Sequence, residues 1–98
     1  MTALQLNDDS MVKVNPEVIC GDVDGEIVAL NMQLGSYLHL NSSGSFIFSL
    51  LDNGEPQCLS QMYQRVGQEY EVDDLICRRE VAQFIERCIE LELISDVS

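Results

Sequence analysis

Few side chains in this sequence could carry chemistry, and they do not converge. His39 is the only histidine. A general base needs a nucleophile or an orienting partner within hydrogen-bond reach. Nothing beside His39 marks one, and its place next to Tyr37 reads as a partly exposed strand position. The four cysteines, Cys20, Cys58, Cys77 and Cys88, include no C-x-x-C pair, so neither a redox couple nor a zinc knuckle is encoded. Cys77 and Cys88 fall on an apolar helical face, where a free thiol behaves as a small hydrophobe. The carboxylates are scattered, and the six glycines form no phosphate-cradling loop. These observations predict no catalytic residue, no metal and no cofactor. They favour a binding module over an enzyme.

The charge balance narrows the class further. Five Lys and Arg stand against 17 Asp and Glu, a formal net charge of -12. Such a field repels the phosphates of nucleic acids and of anionic membranes, so neither is an expected partner. Most of these charges are expected simply to solvate the surface. Three of the five cations, Arg78, Arg79 and Arg87, lie in the last helical stretch. Arg78 is the candidate for selecting an acidic peptide. For Arg79 the expectation is pairing with carboxylates one turn away.

The elements that must position these residues are legible from spacing. Gly35 to Leu51, GSYLHLNSSGSFIFSLL, reads as a short strand passing directly into a helix. Leu38 and Leu40 fall on one strand face, Tyr37 and His39 on the other. Asn41, Ser42 or Ser43 caps the helix, and Phe46, Ile47, Leu50 and Leu51 give it an apolar side. Upstream, Val18–Val23 and Glu26–Met32 flank Asp24-Gly25, a strong hairpin signal, so the strands form a three-stranded meander. Downstream, a helix spans roughly 57–70 and another roughly 74–92. The last carries an apolar band wider than one stripe, which predicts either two contact surfaces or a fully buried helix. Residues 1–16 are polar and aperiodic and are expected to be a flexible arm or a loosely attached strand, with 17–98 a single domain; the final SDVS is expected to fray. No apolar run is long enough to cross a bilayer, and the start lacks signal-peptide character, which predicts a cytoplasmic protein.

Tyr37-Leu38-His39-Leu40-Asn41, then Gly44 and the helix around Phe46-Ile47-Phe48 and Leu50-Leu51, then Leu59-x-x-Met62 and Tyr70-x-Val72-Asp73, resemble the PqqD-like family. These small domains are also called RiPP recognition elements. The resemblance covers about residues 18–94. Among its members the chain looks most like the stand-alone leader-binding proteins of lasso-peptide pathways. The resemblance implies an α+β, winged-helix-like fold, a three-stranded antiparallel sheet followed by a three-helix bundle. It also implies that the domain binds the leader of a ribosomally synthesised precursor peptide and serves a leader protease and a macrolactam-forming cyclase. The alternative is a PqqD-type chaperone for a radical-SAM enzyme; a winged-helix nucleic-acid binder is disfavoured by charge.

The residues support a matching mechanism. The third strand has no evident partner after it, and an extended peptide can add to such an edge. The family's groove lies between that strand and the last helix. The expected lining is Leu34, Tyr37, Leu38 and His39 on the strand side, with Cys77, Arg78, Val81, Phe84, Ile85 and Cys88 on the helix side. Leu30, Leu40, Phe46, Ile47, Leu50 and Ile89 are expected in the core. The same open edge could pair with a second copy of the chain.

Overall fold

The computed structural model describes residues 6–97. The chain runs β1 (Met11–Val14), β2 (Val18–Val23), β3 (Glu26–Asn31), β4 (Tyr37–Leu40), α1 (Ser42–Leu50), β5 (Gln57–Cys58), α2 (Leu59–Tyr70), α3 (Asp74–Glu90) and β6 (Ile94–Asp96). The strands form two three-stranded antiparallel sheets, β2-β3-β4 and β5-β1-β6. The α+β, winged-helix-like architecture expected from the sequence is present: a meander followed by three helices.

Local chemistry explains the meander. Asp24 and Gly25 both adopt positive φ (54° and 84°), the backbone a two-residue hairpin turn requires. The Asp22 carboxylate accepts a bond from the Gly25 N–H at 2.8 Å and closes that turn. Register places Cys20, Ala29 and Leu38 in one cross-strand row and Ile27 opposite Leu40. Because strand side chains alternate, this face also carries Asn31, and it points at the core: Ala29, Asn31 and Leu40 are buried. The opposite face carries Ile19, Leu30 and Tyr37 in a row, then Val28 beside His39. Leu30, expected in the core, is therefore on the outward face.

Several helix ends have an identifiable cause. The Asn41 side chain accepts from the Gly44 N–H and caps α1. Glu71 turns left-handed (φ 51°) and ends α2. Asp73 accepts from the N–H groups of Leu75 and Ile76 and caps α3. Glu92 (φ 57°) reverses the chain after α3, two residues short of where the apolar spacing carried that helix. The core is one cluster drawn from β1, the inner sheet face and all three helices, with Leu51, Leu59, Ile85, Cys88 and Leu93 fully enclosed.

The second sheet departs from the sequence reading. Met11–Val14 is not part of a flexible arm: it is the central strand between β5 and β6, with Val12 wholly buried. Ser95 and Asp96 do not fray, since they pair with Lys13 and Val12. These strands are only two to four residues long and their partners are distant in sequence, so no local periodicity announces them. Residues 1–5 of the expected arm lie outside the described residues.

Candidate functional site

Among the described residues, β4 pairs with β3 alone. The Asn31 N–H donates to the Ser36 carbonyl at 2.8 Å, which makes 31 and 36 a hydrogen-bonded pair. In an antiparallel ladder such pairs alternate with non-bonded ones. Leu38 and Leu40 therefore spend their N–H and C=O groups on β3, while those of Tyr37 and His39 point away from it. β1, the strand that could have occupied this edge, belongs to the other sheet.

The stretch of helix α3 from Phe84 onward runs alongside the open edge and is held at both ends. At one end the Ser36 hydroxyl donates to the Leu91 carbonyl at 2.6 Å. Asn31, 3% exposed, makes the main weld there. Its Oδ1 accepts from the Gln33 and Leu34 N–H groups, shaping the β3–β4 turn, and its Nδ2 donates to the Glu92 carbonyl. Asn15 donates to the same carbonyl. At the other end Phe84 meets the N-terminus of α1. A Cβ on Gly44 would sit 3.1 Å from the Phe84 ring, so the glycine is what lets ring and helix touch. Phe84 also packs edge-on against Phe48.

Beyond the end of β4 the gap opens into a pocket of about 300 Å³ between the N-terminus of α1, the end of α2 and α3. Ile47, Val66, Cys77 and Val81 line its buried depth. Tyr70, Val72, Ile76 and Phe84 form its apolar wall, and Asn41, Ser43 and Glu80 its polar rim. Glu80 is the only charged lining residue.

The sequence-expected residues divide. Leu34 and the backbone of Tyr37 and His39 lie along the edge strand and its turn, and Leu38 is half-buried on the inward face. The Tyr37 and His39 side chains face outward, edge-to-face with each other, and His39 meets Glu26 at 3.3 Å. Phe84, Val81 and Cys77 line the pocket, the last two as its floor. Ile85 and Cys88 are corrections: both are fully enclosed, because their angular positions on α3 point at the sheet and helices. Burial pushes the Cys88 thiol up to about 12. Arg78 is a third correction. It lies over the Tyr63 ring on another side of α3, bonded to Asp8 at 2.6 Å and Asp74 at 3.2 Å. The Arg78 hydrogen bond holds the Asp8 carboxyl below its ordinary value.

Several contributors were not singled out from sequence. Asn31, Ser36 and Gly44 set the width of the gap, and Ile76, Glu80 and Leu91 join the expected Phe84 and Arg87, three or four residues apart, in one stripe along α3 and its C-cap. Counting that stripe separately from the Cys77-Val81-Ile85-Cys88 stripe would have split the wide apolar band. Arg87 is the cation on this side, loosely paired with Glu90 at 3.5 Å. No described cluster of His, Cys, Asp and Glu could hold a metal ion, and no described helix is long and apolar enough to cross a membrane.

Residues 26–94 match the model of the family described as coenzyme PQQ synthesis protein D, PqqD. Two solved structures share the fold. One is TbiB1 in complex with the TbiA(beta) leader peptide, 29% identical, with a TM-score of 0.73 over 88% of this chain and 98% of that one. The other is lasso peptide synthetase B1 complexed with the leader peptide, 24% identical, with a TM-score of 0.69 over 86% and 96%. The comparison with curated proteins gives no significant match.

Proposed function

Because this chain belongs to the PqqD family, we propose that it captures the leader of a ribosomally made precursor peptide as a fourth strand on β4. It then delivers that peptide to maturation enzymes, a leader protease and a lasso cyclase, and catalyses nothing itself. The observation that carries this reading is the outward-turned N–H and C=O row of Tyr37 and His39 beside α3. Main-chain pairing supplies affinity with little sequence choice, and pockets for alternate side chains supply specificity. Leu38 and Phe84 flank the added strand, and the pocket floored by Val81 and Cys77 takes a leader side chain beyond the end of β4. Leu34 borders the other end of the strand. TbiB1, similar over most of both chains, was solved with a leader peptide bound.

The test is a fluorescence-anisotropy titration with the labelled leader peptide of a lasso-peptide precursor. Backbone N-methylation of the leader at alternate residues sharpens it. Methylation at the positions facing β4 is expected to abolish binding, and methylation one residue along to spare it. Equal tolerance at both sets would sink the added-strand reading.

A second reading, which the resemblance to the PqqD family implies, sends the peptide to a radical-SAM enzyme. Co-purification separates the two: a leader-loaded chain that retains a radical-SAM partner, and neither protease nor cyclase, decides for it.

A further inference from the structure

We infer that the gap between β4 and α3 selects leaders by the order of two charges: a Lys or Arg at the pocket mouth beside Glu80 and, further along the peptide, an Asp or Glu beside Arg87. This deepens the leader-binding reading above and rests on it.

Two charged side chains border the gap on the helix side. Glu80 stands on the rim of the pocket and is the only charged residue lining it. Arg87 lies two turns further along α3, between Phe84 and Leu91, which hold the helix at the two ends of β4. Among the described residues Glu80 has no ion-pair partner. Arg87 meets Glu90 at 3.5 Å, with the two side chains 60% and 66% exposed. So exposed a pair holds its members weakly and gives way to a better-placed carboxylate. Arg78, by contrast, is committed to Asp8 and Asp74 on another side of the helix.

The pocket separates charge from apolar contact. Its depth is formed by Ile47, Val66, Cys77 and Val81. An ammonium or guanidinium taken there would lose its water and gain no partner, so a cation stops at the mouth. A Lys or Arg at that point lays its aliphatic stem along the apolar wall and brings its charge to Glu80. The net charge of -12 reinforces the choice, since its field draws a basic residue to this mouth and resists an acidic one. Only beside Arg87 does a leader carboxylate in the gap meet opposite charge.

Strand geometry orders the two charges. β4 runs toward the pocket, and every strand pair among the described residues is antiparallel. A leader added in the same sense enters at the pocket and leaves at the β3–β4 turn, so the cation precedes the carboxylate. Glu80 and Arg87 are separated by about 10 Å of helix rise, which a strand covers in about three residues. Leader residues bonded to β4 send their side chains outward with Tyr37 and His39, and those between them face α3. The two charges therefore fall two or four residues apart, at positions where N-methylation is tolerated.

The experiment uses the labelled lasso-precursor leader, rebuilt at two such positions with Lys upstream and Glu downstream, and its twin with the two exchanged. Both spacings are made, and each peptide is titrated by fluorescence anisotropy against the full chain. At one spacing the Lys-first peptide is expected to bind at least about tenfold tighter than its twin at low salt, with the difference shrinking as salt rises. Both protein charges are exposed, so the chain carrying Glu80→Arg and Arg87→Glu together keeps its fold, which circular dichroism checks. That chain is expected to prefer the exchanged peptide. Equal affinities at both spacings, or a preference that the double substitution leaves unreversed, overturn the inference while leader binding stands. Failure of the unsubstituted chain to bind the parent leader overturns the leader reading, and this inference with it.

Discussion

The two sheets have the same number of strands and opposite fates. In β5-β1-β6 the strands are short, come from distant parts of the chain, and bury Val12 and Ile94 almost completely. In β2-β3-β4 they are contiguous in sequence, and β2 is exposed over nearly its whole length. The first sheet closes the core. The second shares only one face with it and leaves an edge and a face uncovered. Strand number says nothing about this division of labour. It follows from which side chains alternate inward and from what lies beyond the last strand. A small domain can keep one sheet open because the other holds the chain together.

Three substitutions test that division, and the largest effect belongs to the closed sheet. Val12→Asp puts a carboxylate where no water reaches. It should cost more than about 4 kcal/mol, enough to unfold much of a domain whose total stability is about 5–15 kcal/mol. By contrast Ile19→Lys on the open sheet should stay within about 0.5 kcal/mol. Urea denaturation followed by circular dichroism measures both, and equal costs would erase the distinction. Asn31→Ala cuts the weld between the open sheet and α3. It should cost about 1–3 kcal/mol and loosen leader binding several-fold while secondary structure persists. Unchanged affinity would show that the weld does not set the gap.

The smallest effect concerns Asp8, just before β1. Its carboxyl is depressed by Arg78, so the contact contributes fully above the ordinary carboxylate value of 3.8. That contribution fades as pH falls below 3.8 toward the lowered value. Hydrogen exchange at Ser60, whose N–H bonds the Asp8 carbonyl, should quicken slightly across that window. Asp8→Asn should abolish this pH dependence; if it persists, Arg78 is not its cause.

Much of this was legible in the sequence where the signal is local. Asp24-Gly25 announced its turn, the run Asn41-Ser42-Ser43 the start of α1, and the alternation in YLHL put Leu38 and Leu40 on one face, which is the inward one. What was hidden depends on partners far along the chain. MVKV alternates like a strand, but four residues are too few for periodicity to decide until β5 and β6 lie beside them. Arg78 is one turn from Asp74 in any helix, but only the fold brings Asp8 to it. Ile85 and Cys88 share the apolar band of α3 with Phe84, and only the neighbouring elements decide which stripe opens onto the gap.

The placement of β1 has a consequence for how the molecule comes into being. Val12 cannot acquire its Asp96 neighbour until the chain through Asp96 has left the ribosome, whereas hairpin pairing between β2, β3 and β4 needs only short loops to close. The open edge is thus free to assemble early, and the sheet that closes the core arrives last.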